Sequence, residues 1–290
     1  MRRRSLGWNV AEALARNFFK APTNSVCMAV KILFGPAGSG GLGNYEGVAE
    51  VERLGLGAME VEFTYGVRMF LEEARRVGAR AKELGVALSV HAPYYINLAS
   101  AEKAKRLASQ RRIIESCERG ALLGAQHIVF HPGYYGKLKP EHCFNLILQS
   151  VLEMQRIIKA RKWPVVLCPE TSGKFSAFGS VDELVALARK TGCGLCIDFA
   201  HIYAKAQGKP DFDAVLAAVK RVRHLTAHIS GITYSPAGEK AHIITPPSLI
   251  RAVLSALIKH KLSLTLINES PNPFGDSVKA LKIWSELTKR

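Results

Sequence analysis

In this 290-residue sequence, histidines and carboxylates gather at one kind of place, the end of a short apolar run. "ALSVH" ends in His91, "HIVFH" in His131, "PVVLCPE" in Glu170, "GLCID" in Asp198 and "SLTLINE" in Glu269, while "LTAHIS" carries His228 near its end. His201 follows Asp198 by three residues, and the loop after His228 holds Glu239 and His242. A lone histidine at such a place is ordinarily a satisfied core residue. Asp198 and Glu170 are harder to dismiss, because an unpaired carboxylate in an apolar run carries a large desolvation cost. Five histidines and three carboxylates that converge share one form of relief, a divalent cation. Neutral imidazole with carboxylate suits zinc, and the same donors accept manganese or iron. Eight ligands exceed the needs of one tetrahedral ion, so two to three ions per chain are expected. Such clusters suit phosphate-ester hydrolysis, in which one ion activates water and others stabilise charge on the leaving oxygen.

These residues converge only if the runs are neighbouring strands. Eight runs stand out: Val30–Gly35, Ala58–Phe63, Ala87–His91, His127–His131, Pro164–Glu170, Gly194–Asp198, Leu225–Ser230 and Ser263–Glu269. Each is continuous rather than alternating, as expected of parallel strands buried on both faces. Helical patterns separate them. Val67–Leu84 has apolar positions at Phe70, Leu71, Ala74, Val77 and Ala81, and Ala101–Leu123, Cys143–Lys162, Val181–Thr191, Phe212–Val222 and Pro247–His260 repeat the theme. Gly85, Gly124 and Gly192 fall where helices should stop, and Ser180 and Asp211 where they should start. The expectation is an α/β fold, a single (β/α)8 TIM barrel over residues 28–290 with its site at the C-terminal ends of the strands. A doubly wound sheet would not normally need eight regular units.

Lysine and arginine outnumber aspartate and glutamate by 40 to 24, a formal charge of +16. That excess favours a polyanionic partner such as nucleic acid. The six cysteines are scattered, as buried reduced thiols of a cytoplasmic protein would be. Cys193 and Cys196 form an isolated CxxC with no second pair, which does not make a zinc ribbon. His127, His142, His224 and His260 fall at strand starts or on helices and read as structural. Residues 1–27 are basic and precede a second methionine, Met28; they read as an extension outside the barrel, disordered or briefly helical, or as a start assigned too far upstream. No apolar run is long enough for a membrane span, and a monomer is expected.

The segments "VHAPYYINLAS" (90–100), "VFHPGYYGK" (129–137), "PETSGK" (169–174), "CIDFAHIYA" (196–204), "HISG" (228–231) and "INESP" (267–271) resemble the endonuclease IV family of apurinic/apyrimidinic endonucleases, in an archaeal-type form. The resemblance runs over roughly residues 30–285 and keeps the motif order. It implies a trinuclear zinc site on a TIM barrel that incises double-stranded DNA 5′ to abasic sites in base-excision repair. His91 and His131 would hold the first zinc with Glu170 as a bridge, while Asp198, His228 and Glu269 would complete the second. His201 and His242 would hold the third. Glu170 and Glu269 are the implied catalytic carboxylates, Glu269 orienting the water. Tyr94 matches a side chain that enters the DNA stack beside the flipped-out nucleotide. One position departs: Lys240 stands where the family has an aspartate ligand to the third zinc. A lysine ammonium repels a cation. The adjacent Glu239, one methylene longer, is expected to reach in its place, the alternative being a third ion held by water or absent.

Two rival readings remain open. A metal-dependent sugar isomerase or epimerase on the related xylose-isomerase-like barrel uses similar donors, but needs fewer ligands and no strong positive charge. A catalytically silent nucleic-acid-binding barrel would follow if the third site were lost.

Overall fold

The computed structural model describes residues 30–289, so the expected extension over 1–27 lies outside the described residues. Eight parallel strands form the centre: β1 (Ile32–Pro36), β2 (Ala58–Glu62), β3 (Ala87–His91), β4 (His127–Phe130), β5 (Val166–Pro169), β6 (Leu195–Asp198), β7 (Leu225–Ile229) and β8 (Leu264–Asn268). They pair in sequence order. One run joins β2, β3, β4 and β5, with Glu62 opposite His91 and His127 opposite Val166. The other joins β6, β7, β8 and β1, with Asp198 opposite His228 and Ile32 opposite Leu264. Parallel bridges between Ala37 and Glu60 and between Glu170 and Cys196 join the two runs into a closed barrel. Backbone bonds confirm both seams: Gly38 N–H donates to Glu60 O at 2.9 Å, and Thr171 N–H to Cys196 O at 3.1 Å.

The helices that wrap this barrel are α1 (Asn44–Arg53), α2 (Leu71–Leu84), α3 (Lys103–Leu123), α4 (Pro140–Ala160), α5 (Val181–Thr191), the short α6 (Phe199–Lys205), α7 (Phe212–Val219), α8 (Pro247–His260) and α9 (Pro273–Thr288). Local chemistry sets their ends. Ser180 and Glu183 make a reciprocal capping box at the start of α5, and the Asp211 side chain accepts Ala214 N–H at the start of α7. Gly85, Gly124 and Gly192 each end a helix in the left-handed region.

Several helix ends shift by two or three residues from the sequence expectation, and the start of one helix shifts furthest. Helix α2 begins at Leu71 rather than Val67, and Phe70 is 79% exposed at its N-cap instead of facing the core. Residues 63–70 instead form a loop over the barrel mouth, with Met69 buried beneath it and Met69 O accepting Arg119 Nε–H at 2.8 Å. Helices α1, α6 and α9 were not singled out by the sequence patterns; α9 packs on β1 through Trp284 against Phe34, ring centroids 6.2 Å apart.

The main core lies between barrel and helices and includes Met59, Ile113, Ile128, Leu167 and Leu254, all essentially inaccessible. Burying an aliphatic side chain of this kind stabilises by about 1.5–3 kcal/mol. The five described cysteines are free and buried. Among the described residues, no helix is long and apolar enough to cross a membrane.

Candidate metal centre

The C-terminal ends of the strands bring the singled-out residues together in one mouth. Five imidazoles form a row across it: His228 to His91, His91 to His131, His131 to His201 and His201 to His242 have ring centroids 6.0, 5.4, 5.6 and 5.6 Å apart. Three groups of side chains each place one donor atom from every member within 4.8 Å of the others: His91, His131 and Glu170; Glu170, Asp198, His228 and Glu269; and Asp198, His201 and His242. Glu170 joins the first group to the second, and Asp198 the second to the third.

Neighbouring oxygens fix which ring nitrogens face inward. His91 Nδ1 is 2.7 Å from Ala92 O, which leaves Nε2 aimed at Glu170 Oε2, 3.2 Å away. His201 Nδ1 is 2.9 Å from Thr171 O, and His242 Nδ1 is 3.1 Å from Ser230 Oγ and 3.2 Å from Glu269 O. An Nδ1–H donated to a carbonyl leaves the far nitrogen as the free electron pair, the arrangement that presents a histidine to a cation. Asp198 divides its work: Oδ1 caps α6 by accepting His201 N–H at 2.8 Å, while Oδ2 is buried without an aligned donor. Glu170 Oε1 and His228 Nδ1 are likewise buried and without an aligned partner. Inward-facing imidazole nitrogens and orphaned carboxylate oxygens, out of reach of water, are the donor set a divalent cation satisfies.

The electrostatics express the same crowding. Burial alone would lower the His91 imidazole, but the Glu170 hydrogen bond and the Glu62, Glu170 and Glu60 charges outweigh it and raise it to about 10. Burial likewise opposes His201, which Asp198, Glu170 and Glu239 hold well above its ordinary range. His131, flanked by two other imidazoles, is lowered to about 4, chiefly by burial. Burial pushes Asp198 up to about 6 against the pull of His201.

Two members of the mouth were missed in the sequence reading. Glu60 is fully buried; its Oε2 accepts Ser89 Oγ–H at 2.6 Å, and its Oε1 lies 2.8 Å from His228 Nε2. Glu62, two residues on, gathers with Glu60 and Glu269. Burial raises it to about 8, His91 lowering it and Glu60 and Glu269 adding to the rise. The signal was present in "AMEVEF": glutamates two apart in a strand share one face, and a buried strand that carries two carboxylates on one face meets the desolvation argument applied to Asp198.

Lys240 and Glu239 lie in the loop after β7, outside the three donor groups. The loop is a hairpin of Gly231–Ser235 against Gly238–Ile243, in which Thr233 faces Ala241 and Tyr234 faces Glu239. Lys240 has no opposite residue; it is the extra residue of a β-bulge. A bulge shifts the side-chain alternation by one, so Glu239 and His242, three residues apart, turn to the same side. Lys240 is exposed. Glu239 Oε2 lies 3.2 Å from His201 Nε2 and accepts Gly173 N–H at 3.0 Å, while Lys174 Nζ is 3.5 Å from Oε1. Gly173 has no room for a side chain: a Cβ there would lie 2.2 Å from Glu239 Oε2.

Tyr94 is half exposed beside the row, its ring edge-on to His91 at 5.4 Å. The mouth cavity holds about 340 Å³ and is lined by Tyr94, His131, His201, Glu239, His242 and Glu269 among others. Of the histidines read as structural, His260 Nε2 pairs with Asp213 at 2.8 Å, His127 lies edge-on to His224, and His142 is exposed.

Residues 48–278 match the xylose isomerase-like TIM barrel family. The chain is 35% identical over 274 residues to an uncharacterized protein of Methanocaldococcus jannaschii, covering 89% of this chain and 98% of that one. It is 26% identical over 215 residues to endonuclease 4 of Thermus thermophilus, covering 70% of this chain and 76% of the relative. Among solved structures, endonuclease IV of Thermus thermophilus superposes with a TM-score of 0.65 at 22% identity, covering 89% of this chain and all of that one. A D-psicose 3-epimerase superposes with a TM-score of 0.67 at 15% identity, covering 89% and 99%. Structural likeness at these identities establishes the barrel and does not choose between the two activities.

Proposed function

The chain belongs to the xylose isomerase-like TIM barrel family, and from that premise we propose that it is a metal-dependent endonuclease that hydrolyses DNA 5′ to abasic sites in base-excision repair. One observation carries this reading: the three donor groups are continuous, joined through Glu170 and Asp198. A one-ion sugar epimerase would need only the central group of Glu170, Asp198, His228 and Glu269, and would leave the outer imidazole pairs without a task. The formal charge of +16 and the relatedness to endonuclease 4 agree with a nucleic-acid substrate.

On this reading His91, His131 and Glu170 would hold one divalent cation, and Glu170, Asp198, His228 and Glu269 would hold a second. His201 and His242 would hold a third, with Glu239 as its carboxylate. Zinc fits the mixed nitrogen and oxygen donors, and manganese or iron the same set. Bound cations would supply a lowered pKa for water and charge neutralisation at the scissile phosphate. The chain's own residues do the rest. Glu269, at the open edge of the central group, orients the attacking water. Glu60 and Ser89 brace His228 from below. Tyr94 offers an aromatic face to bases beside the lesion, and exposed lysines and arginines contact phosphates.

The test is a duplex with a single abasic site, incubated with metal-loaded protein with and without a chelator. The expected result is one chelator-sensitive nick on the 5′ side of the lesion. An intact duplex, together with metal-dependent epimerisation of a free ketose, would favour the sugar-enzyme reading.

A further inference from the structure

Beside the mouth, on the far side of Tyr94, lies a second cavity of about 590 Å³ between the loop after β2 and one face of α3. Its walls combine four phenol rings, Tyr65, Tyr94, Tyr95 and Tyr134, with two cations, Lys105 and Arg112, and no lining residue is acidic. We propose that this cavity receives one unpaired nucleobase together with its phosphate, next to the strand engaged at the metal centre. The proposal rests on the reading that the substrate is nucleic acid.

The chemistry follows from the lining. Exposed aromatic rings are costly without a purpose, and here they cluster: Tyr65 is 77% exposed and Tyr94, Tyr95 and Tyr134 between 42% and 49%. A base offers a π-face to such rings whatever its identity, and each stack contributes about 1–3 kcal/mol. Lys105 and Arg112 stand seven residues apart on α3, two turns along the same face. Arg112 lies 4.5 Å over the Tyr95 ring, and its guanidinium donates to Tyr95 O at 3.3 Å, which fixes both as one stacked, cationic wall. Lys105 pairs with Glu102, the N-cap residue of α3, both exposed; such a pair is weak and yields readily to a phosphate.

The walls are held in place before any ligand arrives. Asn97 Oδ1 accepts both Ala99 N–H at 3.0 Å and Tyr134 N–H at 3.2 Å, which ties the loops after β3 and β4 together. Tyr94 N–H donates to Thr64 O at 3.3 Å, which joins the loop after β3 to the one carrying Tyr65. Both cavities share Tyr94 and Tyr134, so a strand lying at the metal centre has its neighbouring nucleotide at the entrance of the second. A base inside an intact duplex is paired and stacked and cannot enter; an unpaired one can.

Binding without cleavage tests this. Full-length, chelator-treated protein is titrated into fluorescein-labelled short duplexes, one fully paired and one with a single unpaired thymidine, and anisotropy is followed. Wild type is expected to prefer the duplex with the unpaired base. Tyr65→Ala and Arg112→Ala are each expected to weaken that complex by roughly 5- to 100-fold, the scale of one stack, and to weaken the paired duplex far less. Arg112→Lys separates the stacked guanidinium from simple charge. Variants with unchanged preference, or a wild type that shows none, overturn the pocket. If abasic duplex is not cleaved but the variants lose the preference, the pocket stands and the endonuclease reading falls. If cleavage occurs and the preference survives in the variants, the pocket falls alone.

Discussion

Strands β4 and β7 each have a histidine at or beside both ends, and on β7 the two ends behave differently. At the bottom of the barrel, His127 and His224 face each other with ring centroids 6.3 Å apart. Burial lowers His127 to about 4, and burial with the Arg223 charge lowers His224. At the top of the same strands stand His131, which burial lowers to about 4 as it does His127, and His228. Burial opposes His228 as well, yet Cys196, Glu269, Glu60 and Glu170 hold it well above its ordinary range. Residue type and strand are the same; the neighbours differ. The bottom histidines are half-buried, with chiefly each other for company, whereas the top ones share their space with carboxylates that need a counter-charge. On the proposed reading, Glu170, Asp198 and Glu269 would turn a row of imidazoles into ligands.

The largest break in that contrast should come from Glu170→Gln, which removes the carboxylate common to two groups. Cleavage of abasic duplex is expected to fall by roughly 10³-fold or more, with loss of bound metal by elemental analysis. A variant that keeps both its metal and its rate would leave the mouth no different in kind from the bottom.

Glu239→Gln comes next, with an expected loss of about 10- to 100-fold in rate or metal affinity at the third group. Gly173→Ala should do the same without removing a charge, because the added methyl occupies the place of Glu239 Oε2. If both match wild type, Glu239 is an ordinary loop charge.

The pH response of metal-free protein gives a smaller effect. His91 at about 10 and Glu62 at about 8 bind protons in the folded chain that the unfolded chain releases at lower pH. Stability from His91 is present below its unfolded value, near 6.5, and is lost as pH rises towards 10, while that from Glu62 is present below about 4.5 and is lost as pH rises towards 8. The melting temperature of chelator-treated protein should therefore fall between pH 6.5 and 10. Metal-loaded protein should resist that fall, because cations replace the protons. A chelated protein whose stability rises over the same range would contradict the charge balance described.

Smallest of all, His224→Gln at the bottom should cost about 1 kcal/mol of stability and leave cleavage kinetics unchanged. A loss of rate there would erase the distinction between the two ends.

Much of this was legible in the sequence, for physical reasons. Strands buried on both faces read as unbroken apolar runs, so the eight strands and their order could be read directly. Helix α5 keeps its expected bounds because Ser180 and Glu183 fix its start and Gly192 its stop. Asp198 and Glu170 stood out because charge in an apolar run demands an explanation. Glu60 and Glu62 escaped because their run went on through Phe63 and did not end on the carboxylate. The start of α2 was misjudged because Phe70 fits a helical stripe, whereas a mouth loop keeps it exposed. The reach of Glu239 into the mouth was expected from its place beside Lys240, but its cause was not legible: the bulge at Lys240 exists only in the pairing of two strands.

The most direct measurement is a zinc back-titration of chelator-stripped protein, with cleavage of a duplex carrying one abasic site followed at each step. The account predicts no nicking at the start, and a rise on the 5′ side of the lesion that levels off at about two to three zinc per chain. Full cleavage by the stripped protein, or none at saturating zinc, would contradict it.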